Sequence, residues 1–320
     1  MDIASNPNLT TQTAKSFATT AWRFSKLYGG RAIRIYWPEN GGIRELYSVN
    51  SAGLIQWKVG RLLTPVGGIS DTAPMAAANS HGPDSDYERM ALYYIAMDNH
   101  LRSLIWFDHK WTQSDLDVSL GNEVCTGLHA TWHKDKKSNL VWMICYTVSG
   151  KMFFRREIRN DPNSKPIVEE GTVNLRSDKP LTLVVDAEPD YDAVILSTGS
   201  GYRGNSGTAP EFISLPFQLG PVHRIASISC DPEREMRFFV TENNIINQYT
   251  LDRTTSTFSS PLPVVPVGKV AMGGLITATA WKSDTVTIFA FFLYSGDNIG
   301  YCRYDYSNKS LAPHAHAVQT

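Results

Sequence analysis

Short apolar runs, several alternating with polar positions, follow one another along the whole chain with turn residues between them. That is the signature of strands. One kind of run is rich in Ala and Thr and returns six times, at Ala18 to Trp22, Met75 to Asn79, Leu128 to Trp132, Leu181 to Val185, Ile225 to Ser229 and Thr277 to Trp281. Successive copies end 44 to 57 residues apart, the period of a four-stranded propeller blade. A β-branched or aromatic run follows each copy, at Ala32 to Trp37, Met90 to Tyr94, Val141 to Tyr146, Ala193 to Ser197, Met236 to Val240 and Val286 to Phe292. Turn residues stand where hairpins require them, at Asn40-Gly41-Gly42, Asp98-Asn99, Ser149-Gly150, Asn243-Asn244 and Gly296-Asp297-Asn298.

Glu88 to Phe107 reads two ways. Met90, Tyr94, Met97, Leu101 and Leu104 recur at helical spacing, but the repeat register and the Asp98-Asn99 turn signal place a hairpin there. The chain thus predicts one all-β domain, a six-bladed β-propeller with four-stranded antiparallel blades at about 17–66, 73–120, 126–175, 179–219, 222–267 and 273–318. Alternate positions of the Ala- and Thr-rich strands divide into two sets. Trp22, Trp132 and Trp281 fall in one, assigned to packing between blades. The other holds Thr19, Ala21, Ala76, Ala78, His129, Thr131, Thr182, Val184, Ala226, Ile228, Ala278 and Ala280. Its small residues suit a narrow central channel, with His129 as the one large ionisable group projecting towards the axis.

Composition adds exclusions. The 320 residues are 42% hydrophobic and 11% aromatic, enough for a packed core. Thirty basic against 31 acidic residues leave a net charge of −1, with no cationic excess for a phosphate backbone, so nucleic acid is not an expected partner. Val286 to Tyr294, the longest apolar run, falls far short of the roughly 20 residues of a membrane span, so no membrane association is expected. Met1 to Pro7 have neither the basic nor the apolar part of a secretory leader, which predicts a soluble protein in the cytoplasm. Cys125, Cys145, Cys230 and Cys302 form no C-x-x-C pair and read as reduced, buried thiols.

The unit from Ala18 to Trp57 combines A-x-x-x-W, Ile33-Arg34-Ile35-Tyr36, Ile43-Arg44-Glu45 and a later Trp. It resembles the blade of fungal fucose-specific lectins of the Aleuria lectin type. The resemblance implies a sugar site in which Arg34 and Glu45 hold ring and hydroxyl oxygens while Trp57 stacks on the apolar face of the sugar. The other five units depart from this pattern. The second has Ala91 and Ser103 at the Arg and Glu positions but keeps Trp111, and the third has Ile144 and Cys145 around the Arg position. The fifth keeps Arg237 with Gln248 at the offset that separates Arg34 from Glu45, without the carboxylate. Units four and six have neither partner in register.

Other motifs lack their structural context. Gly199-Ser200-Gly201-Tyr202-Arg203-Gly204 matches G-x-G-x-x-G, but no helix can open at the Asn, Ser, Gly and Pro that follow, so it reads as a flexible loop. His129 and His133 flank a strand without an H-E-x-x-H pattern. Asp186, Glu188, Asp190 and Asp192 are interrupted by Pro189 and read as a solvated turn, not a calcium loop. No G-x-S-x-G elbow is present.

Losing repeated sites gives up the avidity that a multivalent sugar binder gains. That favours a single pocket for a small-molecule substrate. Propellers resembling these lectins include pericyclases of fungal secondary metabolism, among them hetero-Diels–Alderases that join a quinone-methide tropolone to a sesquiterpene alkene. This resemblance implies a catalyst without metal, nucleotide or redox cofactor, working by positioning; it carries no residues over, and His129 or Arg34 is the candidate donor to a carbonyl oxygen. The alternative is a fucose lectin with one or a few surviving sites. Arg34, Glu45, Trp57, Trp111, Arg237 and Gln248 are the ligand-binding candidates under either reading, and a homodimer is left open.

Overall fold

The structure, a computed structural model, describes residues 16, 18–25, 30–51, 54–65, 67–70, 72–80, 89–107, 110–134, 140–149, 151–159, 167–173, 182–186, 192–197, 200–205, 211–217, 225–230, 235–242, 245–252, 254–265, 276–281, 287–293, 299–305 and 310–317. They form antiparallel sheets, each from one continuous stretch of chain. Sheet one is β1 (Ala18–Ser25), β2 (Gly30–Glu39), β3 (Gly42–Ser51) and β4 (Leu54–Leu62), paired in that order. Sheet two is β5 (Met75–Ser80), β6 (Arg89–Ile95), β7 (His100–Phe107) and β8 (Lys110–Ser119). Sheet three is β9 (Cys125–Lys134), β10 (Leu140–Val148), β11 (Lys151–Arg159) and β12 (Ile167–Val173). Sheet four is β13 (Thr182–Asp186), β14 (Asp192–Ser197), β15 (Ser200–Asn205) and β16 (Glu211–Ile213). Sheet five is β17 (Ile225–Cys230), β18 (Glu235–Glu242) and β19 (Ile245–Asp252), with β20 (Thr257–Phe258) and β21 (Leu262–Val265) both paired to β19. Sheet six is β22 (Ile276–Trp281), β23 (Thr287–Leu293), β24 (Ile299–Asp305) and β25 (Ser310–Ala317).

The first strands of the sheets are the Ala- and Thr-rich runs. β1 packs on β5, β5 on β9, β9 on β13, β13 on β17, β17 on β22 and β22 on β1. Small side chains permit this approach of neighbouring backbones. The result is an all-β propeller. Asp98-Asn99 is a turn between β6 and β7, so the stretch from 89 to 107 is a hairpin. Asn40 and Gly41 join β2 to β3 with φ of 53° and 74°, the two left-handed residues of a two-residue hairpin turn. Among the described residues no helix is long and apolar enough to cross a membrane.

Two expectations are corrected. The division of the inner strands into a channel set and a packing set does not hold, because small residues are buried on both faces. Ala18, Thr19 and Thr20 are consecutive and all buried, as are Ile225, Ala226 and Ser227. The sheets stack side by side, so each face of an inner strand meets a neighbouring sheet. The side chains of Trp22, Trp132, Thr182, Ile228 and Trp281 lie outside the described residues. The Gly-rich run that reads as a loop is strand β15, paired to β14 and β16, although Gly199 itself is outside the described residues. Residues 187–191 of the acidic turn are also outside them.

Cys125 and Cys145 are free thiols, 6% and 1% exposed. Burial pushes the Cys145 thiol from 9.0 up to about 12. The folded state therefore holds the proton that the unfolded chain releases above pH 9, and its contribution to stability is full below that pH and lost as pH rises towards 12. Cys145→Val should lower the slope of stability against pH over that window by about 1 kcal/mol per pH unit, read from urea melts at stepped pH. An unchanged slope would show that Cys145 ionises equally in both states.

Candidate functional site

Cross-strand register fixes which candidates meet. Arg34 lies opposite Tyr47 and Tyr36 opposite Glu45, so all four share one face of sheet one. On that face the Arg34 guanidinium forms an ion pair with the Glu45 carboxylate. Both residues are buried, at 2% and 5% exposure. Burying two charges is costly, and their mutual attraction offsets the cost only when geometry and hydrogen bonding are good.

The facing wall comes from sheet two. Met90, Trp106 and Trp111 stand in one row across β6, β7 and β8. The Arg34 guanidinium carbon lies 4.2 Å from the centroid of the Trp106 ring, a cation–π contact. Trp111 meets Trp106 edge-on at 5.6 Å and Tyr36 at 5.7 Å between centroids. It is half-buried, and its indole Nε1 has no hydrogen-bond partner. The Tyr36 hydroxyl lies 3.5 Å from Thr20 Oγ1 and 3.8 Å from Met90 Sδ. Burial, reinforced by the negative charge of Glu45, holds the Tyr36 phenol well above its usual range. The phenol is thus a neutral group beside the ion pair. Gly60 of β4 makes room for the carboxylate, since a Cβ there would sit 2.9 Å from Glu45 Oε2.

Trp57 does not join this group. It lies opposite Ser48, and Ser48 Oγ accepts a 2.8 Å hydrogen bond from Ile33 N. Trp57 is therefore on the Ile33 and Leu46 face, one residue out of phase with Arg34. His129 and Arg34 are not brought together either. His129 is half-buried on β9, opposite Cys145, and sheet two stands between that strand and Arg34. In sheet five Arg237 and Gln248 share a face with Phe239 and Thr250, repeating the layout of sheet one. The second unit's Ser103 donates to or accepts from Ser114 at 2.5 Å, a neutral contact where sheet one has its charged pair.

Sequence reasoning missed Trp106, Tyr36, Met90 and Gly60. The Met90, Trp106 and Trp111 row is legible once β6, β7 and β8 are set in hairpin register. It belongs to the next repeat, so a motif confined to one unit does not reach it.

No protein-family model matches the sequence, and no curated protein matches it. Solved structures do. The fungal lectin of Aleuria aurantia, described by its six-bladed β-propeller fold and fucose recognition mode, aligns with a TM-score of 0.74 over 95% of this chain and 96% of its own at 15% identity. AofleA from Arthrobotrys oligospora aligns with a TM-score of 0.66 over 95% of this chain and 86% of its own at 12% identity. A lectin from Burkholderia pseudomallei gives 0.63 over 94% and 85% at 15% identity. The chain shares its all-β propeller fold with these proteins, and its structural neighbours are the Aleuria aurantia fucose lectin and related propeller lectins.

Proposed function

We propose that the sheets are six blades of one closed propeller and that the chain is a carbohydrate-binding protein, with a fucose-class site between sheets one and two. The observation that carries this reading is the buried Arg34–Glu45 pair under Trp106. A donor fork, an acceptor and an aromatic plane in one place are what a hydroxylated ring with an apolar face requires. The half-buried Trp111 forms the rim, and its indole N–H supplies a further donor. Fucose is the named ligand of the Aleuria aurantia lectin that shares this fold. The pericyclase reading has no specific observation in its favour.

Titration calorimetry with methyl fucoside tests the proposal. A binding heat at millimolar sugar or below, accompanied by a change in tryptophan fluorescence, is the expected result. No heat and no spectral change at that concentration would leave the ion pair a purely internal feature. Gly60→Ala is a sharper probe because the added methyl displaces Glu45 Oε2 from 2.9 Å. Affinity should fall about tenfold, equivalent to roughly 1.4 kcal/mol, and equal affinity would show that the carboxylate does not touch the sugar.

A further inference from the structure

The recognition groups between sheets one and two are sealed. Arg34, Tyr36, Glu45, Met90 and Trp106 are all buried, none more than 7% exposed, so no sugar ring reaches the ion pair in this arrangement. Part of the wall must move, and its parts are unequal. These five residues stand on β2, β3, β6 and β7, each paired to a neighbour on both edges. Trp111 instead stands on β8, the outermost strand of sheet two, and its ring bridges the sheets by touching both Trp106 and Tyr36. β8 joins β7 in two pieces. Residues 110–113 pair with 104–107 and residues 117–119 with 100–102, with the register broken at 114–116. The piece that carries Trp111 is thus four residues long, lies at the sheet edge, and leaves Lys110, Thr112 and Gln113 exposed. Short exposed edge segments with few buried contacts belong to the least stable parts of a fold. The Trp111 indole Nε1 is also buried without a hydrogen-bond partner, and a stranded donor weakens the arrangement that buries it.

We infer that Trp111, with residues 110–113, is a gate over the sheet-one site, and that sugar enters only after the indole swings out. The inference rests on the sugar-binding reading of that site. Opening returns the indole N–H to water and uncovers the Arg34–Glu45 pair. Closing over a bound ring gives the same N–H a ligand oxygen as acceptor. The ligand thus satisfies a donor that the sealed arrangement strands, and this difference is what holds the gate shut on it. A site that is open for only part of the time binds with affinity and association rate both reduced by the open fraction.

NMR on the full chain tests this. The Trp111 Nε1–H resonance, assigned by its loss in Trp111→Phe, should show relaxation dispersion in the absence of sugar. Line-shape analysis of a methyl fucoside titration gives the association and dissociation rates. Trp111→Ala removes gate and rim together, so association should quicken about tenfold or more, as for a site whose open state is a minor one, and dissociation should quicken as well. A residue that only touches the sugar would quicken dissociation alone. Unchanged or slower association in Trp111→Ala, or a Trp111 resonance without dispersion, overturns the gate. The dispersion measurement is made on the parent protein and keeps the test valid if Trp111→Ala does not fold. Dispersion at Trp111 in a protein that binds no methyl fucoside would instead overturn the sugar reading and leave the opening between sheets one and two standing.

Discussion

Replacing Arg34 with alanine is expected to cost about 3–5 kcal/mol of folding stability. Its partner Glu45 is 5% exposed, so the substitution leaves a carboxylate buried without its counter-charge, and it also removes the cation from the Trp106 ring. Urea unfolding of the single variant measures the loss. Exchanging both partners for apolar residues, as in Arg34→Met with Glu45→Leu, should recover most of it, because the charges then leave together. A single variant as stable as the parent would mean that water reaches Glu45 freely. Arg34→Lys separates binding from folding. It preserves the charge but not the bidentate fork, and affinity for methyl fucoside should fall about tenfold or more with a smaller loss of stability.

Gly41→Ala is the second substitution expected to act strongly. Gly41 has a φ of 74°, and a Cβ there would lie 2.7 Å from the Gly67 amide nitrogen. An L-residue in the left-handed region costs about 1–2 kcal/mol, and the contact with rigid backbone adds about 1–3 kcal/mol of overpacking. The hairpin tip cannot retreat cheaply, since Gly41 O accepts a 2.9 Å hydrogen bond from Ile69 N. Asn40→Gly, at the neighbouring left-handed position, serves as the control and should lie within about 0.5 kcal/mol of the parent. Equal melting temperatures for Gly41→Ala and the parent would show that the tip moves aside without cost.

The strands were legible because their signals are local. Alanine or threonine recurs in each inner strand, and Asn40-Gly41 and Asp98-Asn99 mark turns wherever they fall. What escaped depends on counting across strands. Trp57 looks like a partner of Arg34 from sequence distance, yet the pairing of β3 with β4 sets it opposite Ser48, on the other face. Trp106 belongs to the following sheet and becomes a neighbour of Arg34 only when two sheets stack. Ser200 to Asn205 has poor intrinsic strand propensity, and pairing with β14 and β16 overrides it. The outer part of sheet five divides into β20 and β21 with Pro261 and Pro263 nearby, as expected where proline withholds a ladder donor.

Because each sheet is made from one uninterrupted stretch of chain, no strand among the described residues is shared between the last sheet and the first. In the closed six-bladed ring proposed above, five junctions are spanned by the polypeptide itself. The sixth, where β22 meets β1, is a seam held by side chains, including the Thr19 and Thr277 hydroxyls 3.2 Å apart. Parting it breaks no ladder hydrogen bond among the described residues. The ring behaves mechanically as a coiled strip with touching ends, and the seam is where it should open first under load, heat or denaturant.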